Sequence, residues 1–270
     1  MSEKKENTVT TKPIYNKLIG FQELQNNRLV IVTGDKGGVG KSTFTRGLLH
    51  TYITRNEIPI VFEADKSNPQ LKRFYGNSGL KIEQTDVTNA NKLDKFLDKL
   101  AENIKENESD KKILMDLPAQ SNQFFFKFIE EMQLFSILED RLKIRVTMAV
   151  VFSRVKDCVS QFELLYKEAG TSVDYLIVKN GFFGAEEDFR RYNDSKIRNQ
   201  VFEENNCICE ILMPELIEHA YDYLDENELT FEAAMKPGTK ISVEGRTKGW
   251  IKSFSESIKP SLPLLGLKDA

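Results

Sequence analysis

A short apolar run, LVIVT (Leu29 to Thr33), leads directly into DKGGVGKST (Asp35 to Thr43), and this junction constrains the chain more than any other stretch. Glycines reach backbone conformations closed to other residues, so such a loop can turn successive N–H groups inward and form a cradle for an anion. The residues that follow, STFTRGLLHTYITRN, put Phe44, Leu48, Leu49 and Tyr52 on one side, which predicts a helix whose positive end adds to that cradle. Strand, glycine loop and helix in this order make a phosphate-binding loop. The general pattern is a glycine, four variable residues and then Gly-Lys-Ser/Thr; Gly40, Lys41 and Ser42 fit, and Asp35 stands in place of the first glycine. In that role Gly37, Gly38, Val39, Gly40 and Thr43 would line the phosphates, Lys41 would reach the β- and γ-phosphates, and Ser42 would ligate Mg²⁺. The loop also carries a second lysine, Lys36, that phosphate binding by itself does not require.

The same alternation continues down the chain. IPIVFEAD (Ile58 to Asp65) and KILMDLP (Lys112 to Pro118) read as buried strands that deliver acids at their C-terminal ends. Between them, Asn91 to Asn107 sets Leu93, Phe96, Leu100 and Ile104 at helical spacing. IRVTMAVVF (Ile144 to Phe152), VDYLIVKN (Val173 to Asn180) and CICEILMP (Cys207 to Pro214) complete the series. The expected fold is α/β, a doubly wound, mostly parallel sheet flanked by helices. With 270 residues and 40% hydrophobic content, the chain supports one core, expected over residues 28–270. A partly flexible extension, 1–27, precedes it, with Ile19, Phe21 and Leu24 as a packing segment. Three cysteines do not make a disulfide framework, and no run approaches the roughly 18 apolar residues of a membrane-spanning helix, so a cytoplasmic location is expected.

DKGGVGKST resembles the deviant phosphate loop, KGGxGK[ST], of the ParA/MinD family of ATPases. The resemblance accounts for Lys36, because in that family the extra lysine crosses an ATP-bound homodimer to the phosphates held by the neighbouring subunit. FEADKSNPQ (Phe62 to Gln70) looks like the family's switch I, which makes Asp65 the acid that orients the attacking water and puts Glu63 where an aspartate is common. By itself, Asp65 also reads as a cap for a helix starting after Pro69. ILMDLPAQ (Ile113 to Gln120) looks like switch II, with Asp116 binding Mg²⁺ through a water; Ala119 and Gln120 depart from the glycine or proline of relatives. Asn180 resembles the asparagine that reads the adenine edge, though it is equally a turn residue, and Pro214 resembles the proline bordering the base. The resemblance thus implies a slow, partner-stimulated ATPase using Lys36, Lys41 and Asp65, with ATP and Mg²⁺ as cofactors.

Cargo is less constrained. The stretch SLPLLGLKDA, with Pro260 and Pro263 nearby, is a poor candidate for a basic amphipathic membrane helix. The net charge of −3 excludes a surface that is basic throughout, but Met235 to Lys259 carries six basic residues against Glu244 and Glu256. Trp250, Ile251, Phe254 and Ile258 form an apolar stripe there. Lys236, Lys240, Arg246, Lys248 and Lys252 form either a nonspecific DNA surface or an ordinary solvated face. A second cluster, Arg190, Arg191, Lys196 and Arg198, is diluted by acids. Cys207 and Cys209 share one side of a strand without histidine or cysteine neighbours, which gives no metal centre. The leading expectation is an ATP-dependent switch acting in plasmid or chromosome partition or in DNA-cargo positioning. The alternatives are a nucleotide-gated accessory protein of a conjugation or transfer apparatus and a small-molecule ATP-dependent ligase or kinase, which has no need of Lys36.

Overall fold

Leu29 to Val32 are inaccessible to solvent on both sides of the strand they form, β2 (Asn27–Thr33), because strands lie along each of its edges and helices over each of its faces. The computed structural model describes residues 16–18, 27–34, 36–105, 111–119, 121–205 and 207–268. β2 pairs in parallel with β5 (Lys112–Asp116) on one edge and β6 (Ile144–Phe152) on the other. Outward from β5 come β3 (Ile60–Glu63) and β4 (Ile82–Gln84). Outward from β6 come β7 (Asp174–Asn180) and β8 (Cys207–Met213). A three-residue strand, β1 (Asn16–Leu18), closes the far edge antiparallel to β8, so part of the N-terminal extension belongs to the sheet. Ile19, Phe21, Leu24, Asp35 and Gln120 lie outside the described residues.

The helices are α1 (Lys41–Thr54), α2 (Gln70–Tyr75), α3 (Ala90–Lys105), α4 (Asn122–Met132), α5 (Leu134–Leu142), α6 (Lys156–Ala169), α7 (Arg190–Asn193), α8 (Lys196–Glu204), α9 (Glu218–Glu226), α10 (Phe231–Ala234) and α11 (Ile241–Ile258). One layer groups α1 with α2, α10 and α11, and the other groups α4, α5, α6, α7 and α8. The doubly wound α/β architecture expected from the sequence is the one observed. From β2 the chain runs outward to β3 and β4, returns to β5 beside β2, and then crosses to β6, β7 and β8 on the other side, and this reversal opens a crevice at the C-terminal ends of the central strands.

Trp250, Phe254 and Ile258 of α11 are buried and Ile251 is half-buried, as the stripe predicts. The proline-containing stretch after it is not an α-helix: Lys259–Leu265 winds as a 3₁₀ segment with Leu262, Leu264 and Leu265 buried. Its carbonyls find side-chain donors, the Thr147 hydroxyl to Leu264 (2.5 Å) and the Tyr52 hydroxyl to Leu265 (2.6 Å). That satisfies backbone oxygens which a proline-broken ladder leaves open. Among the described residues no helix is long and apolar enough to cross a membrane.

Candidate functional site

The glycine loop joins β2 to α1 at the mouth of the crevice. Gly38 and Gly40 have φ of 77° and 100°, left-handed values that favour glycine. At Gly40 a Cβ would lie 2.3 Å from Asn180 Nδ2, so the position requires glycine for space as well. The Lys41 ammonium is nearly buried and donates to the Gly34 carbonyl (2.8 Å), folding back under its own loop. Gly38, Gly40, Lys41, Ser42 and Thr43 form one wall of a cavity of about 430 Å³.

Two carboxyl groups lie behind the loop. Asp116, the last residue of β5, sits opposite Val32 on one side and Glu63 on the other. Its Oδ1 accepts from the Thr45 hydroxyl of α1 (3.2 Å). Burial raises its pKa to about 7, against the pull of Lys41 and Thr45, and nearby Asp65 pushes in the same upward direction. Glu63 is inaccessible to solvent; its Oε2 accepts from the Leu71 backbone N–H (2.7 Å) and its Oε1 has no partner. Burial, and then the Asp116 charge, push Glu63 up to about 8. The sequence pointed to Asp116 but not to Thr45, and it named Glu63 without showing its burial; only the strand register reveals the pair.

Asp65 does not cap α2; the carboxylate that takes a first-turn N–H of that helix is Glu63, through Leu71. Asp65 Oδ1 instead accepts from Ser67 N, Ser67 Oγ and Asn68 N (3.1, 2.7 and 2.9 Å), which fixes the turn between β3 and α2. Asn68 and Gln70 from this turn line the cavity. Lys36 does not line it: the lysine is exposed and pairs with Asp157 at the start of α6 (3.2 Å). Gly37 and Val39 also lie outside the lining, Gly37 exposed and Val39 buried.

The far wall comes from the ends of β7 and β8 and from α9. Asn180 donates from Nδ2 to the Val39 carbonyl (2.9 Å) and accepts at Oδ1 from Phe182 N (3.1 Å), so it ties the phosphate loop to the β7 turn. Pro214 lines the cavity, and its carbonyl accepts from Trp250 Nε1 (2.8 Å). Phe182, 59% exposed, lies on the same wall with Tyr221 and Asp222 of α9. Phe182 was not singled out from the sequence, where its place two residues after Asn180 is the one signal for it, and nothing there marks α9 as part of the site. Beneath this wall Lys179, with no solvent exposure, is held by Glu210, Glu186 and Asn193, and Arg198 pairs with the same Glu210. Arg198, grouped from the sequence with a mixed-charge surface, is in fact a core cation.

The basic stretch near the C-terminal end is exposed but only partly uncommitted. Lys236 pairs with Glu232, Lys248 pairs with Glu244, and Lys240 sits 4.8 Å from the Tyr223 ring centroid. Arg246 and Lys252 project from the outer face of α11. Among the described residues no group of three or more His, Cys, Asp or Glu is arranged to hold a metal.

No family model matches the sequence. Protein MobD of Acidithiobacillus ferrooxidans is 27% identical over 210 residues, which covers 77% of this chain and 86% of that protein. Among solved structures, a nucleotide-binding protein of Archaeoglobus fulgidus in complex with ADP is 15% identical, with 76% of this chain and 88% of that one covered and a TM-score of 0.44. The signal recognition particle receptor FtsY of Elizabethkingia anophelis is 11% identical at a TM-score of 0.44, with 72% of this chain and 62% of the receptor covered. The α/β phosphate-loop fold follows from the strand order and loop described above.

Proposed function

We propose that this protein is an ATP-dependent molecular switch that dimerises with ATP and hydrolyses it slowly. The observation that carries this reading is the cavity lined by the glycine loop, Lys41 and Ser42 at the C-terminal end of β2, with Asp116 buried behind that lining at the end of β5 and bonded to Thr45 of the helix the loop opens. The residues fit a magnesium nucleotide. The Gly40 position leaves no room for a side chain, the loop opens a 14-residue helix, and Glu63 Oε1 is an unpartnered buried oxygen beside Asp116. Ser42 and Asp116 would hold Mg²⁺, which when bound neutralises charge between the β- and γ-phosphates.

The remaining chemistry belongs to the chain. Lys41, released from the Gly34 carbonyl, supplies an ammonium to the β- and γ-phosphates, and the loop N–H groups bind oxygens without reorganising. Asp65, already anchored through one oxygen, orients water for in-line attack. Asn180 keeps one N–H and one oxygen lone pair for an adenine edge, and Pro214 borders the base. Lys36, held among the described residues by an exposed ion pair, can swing to a neighbouring subunit's nucleotide. Lys236, Lys240, Arg246, Lys248 and Lys252 give a surface for nonspecific DNA, which suits partition or cargo positioning, with a partner protein stimulating turnover. The likeness to Protein MobD favours a second reading, a nucleotide-gated accessory of a conjugation or transfer apparatus.

Light scattering on the full chain with Mg–ATP, Mg–ADP and no nucleotide tests the switch. The expected mass doubles with ATP only, and Lys36→Ala abolishes the doubling. A monomer in every state, or an unimpaired Lys36→Ala dimer, overturns the sandwich account.

A further inference from the structure

The two walls of the cavity are joined behind it. One wall carries Asn68 and Gln70 and continues as α2; the other carries Tyr221 and Asp222 of α9. Arg73, on α2, forms an ion pair with Asp225, one turn beyond Tyr221 on α9, across 152 residues of sequence. A second arginine lies below it. Arg46 of α1 is buried, with its guanidinium carbon 3.4 Å from the Phe74 ring centroid, and Nη2 donates to the Leu229 carbonyl in the turn after α9 (3.2 Å). The Tyr75 hydroxyl donates to the Arg46 carbonyl (3.3 Å). Arg46 thus holds the phosphate-loop helix, α2 and the α9–α10 turn at one junction, and Arg73–Asp225 is the more exposed bond above it, at 31% and 37% exposure.

Among the described residues the Arg73–Asp225 pair is a link between the cavity walls that lies near solvent, with Arg73 resting on the edge of the core over the Phe74 ring (4.6 Å). Arg73 and Asp225 need only turn into water, whereas separating Arg46 from Phe74 uncovers a buried cation. We propose that Arg73 and Asp225 form a clamp across the nucleotide cleft, making the Asp65–Gln70 turn and α9 close and open as one unit and so setting how long a nucleotide stays bound. Both are positioning residues, since neither lines the cavity. The inference rests on the nucleotide-binding reading above.

The test is stopped-flow release of a fluorescent ADP analogue from the full chain, in the unaltered protein, Arg73→Ala, Arg73→Asp and the exchanged pair Arg73→Asp/Asp225→Arg. Release is expected to quicken about two- to fivefold in Arg73→Ala, the effect a half-exposed pair supports, and further in Arg73→Asp, where two carboxylates face each other. The exchanged pair is expected to recover most of the loss, which a generally loosened protein would not do. If Arg73→Ala fails to fold, the exchanged pair decides: near-normal release supports the clamp, and release as fast as an unclamped cleft overturns it. Unchanged release in Arg73→Ala overturns the clamp alone, while absence of binding by the unaltered protein overturns the nucleotide reading itself.

Discussion

Glu63 and Asp116 carry raised pKa values chiefly because both are buried where their strands end under the glycine loop; the Asp116 charge then pushes Glu63 further up, and Asp65 does the same to Asp116. Their ordinary values are 4.5 and 3.8, so between about pH 4 and pH 8 the folded, ligand-free protein holds protons that the unfolded chain has released. Stability therefore falls as pH rises through that window, since the native state is the one binding more protons. Urea unfolding at pH 5 and pH 8 is expected to show a loss on the order of 1–3 kcal/mol at the higher pH. Glu63→Gln is expected to flatten that slope and to be the more stable protein at pH 8; an equal slope in both would mean that the pair does not titrate in this range. At this scale the sequence was informative where a residue acts locally. Gly40 and Lys41 were named from the loop's spacing, and Asp116 from the end of an apolar strand together with the resemblance to a switch II segment. Lys36 was named too, but its Asp157 partner lies 121 residues away, and Thr45 gave no sign, because a threonine one turn into a helix looks like any other.

Helices α1 and α11 meet closely at Gly47. A Cβ there would lie 2.8 Å from Phe254 Cζ and 2.9 Å from Trp250 Cη2, so α11 rests directly on the backbone of α1. Those rings cannot yield easily, because Trp250 is stacked between Phe231 and Phe254 with centroids 4.7 and 4.9 Å apart. Gly47→Ala is thus expected to destabilise the fold by about 1–3 kcal/mol, although helix propensity alone favours alanine by about 1 kcal/mol. A shift of the denaturation midpoint in the stabilising direction would mean that the rings move aside. Strands were the legible elements, since a buried parallel strand announces itself as an unbroken β-branched run. The short α7 and α10 were not legible, since four residues are too few for a periodic signal and tertiary contacts decide them, whereas the start of α2 was legible from Pro69.

Across the whole molecule the net charge is −3, and the exposed lysines and arginines of residues 236–252 are the surface that the proposed function assigns to DNA. With ATP, affinity for a random-sequence duplex is expected to fall steeply between low and moderate salt, and the double substitution Arg246→Ala/Lys252→Ala should reduce the slope of log K against log salt by about 2. Salt-independent binding, or binding indifferent to that substitution, would shift attention to protein partners. The overall architecture was legible because strand–helix alternation survives any detail of packing. The way the molecule closes was not. Its N-terminal strand β1 lies against β8, and its last turn supplies the carbonyls that Tyr52 and Thr147 require. A chain emerging from the ribosome would therefore expose the phosphate loop and its flanking strands long before their final partners are made. The native core is completed only once residues 259–265 have been made, and until then the hydroxyls of Tyr52 and Thr147 are without those carbonyls.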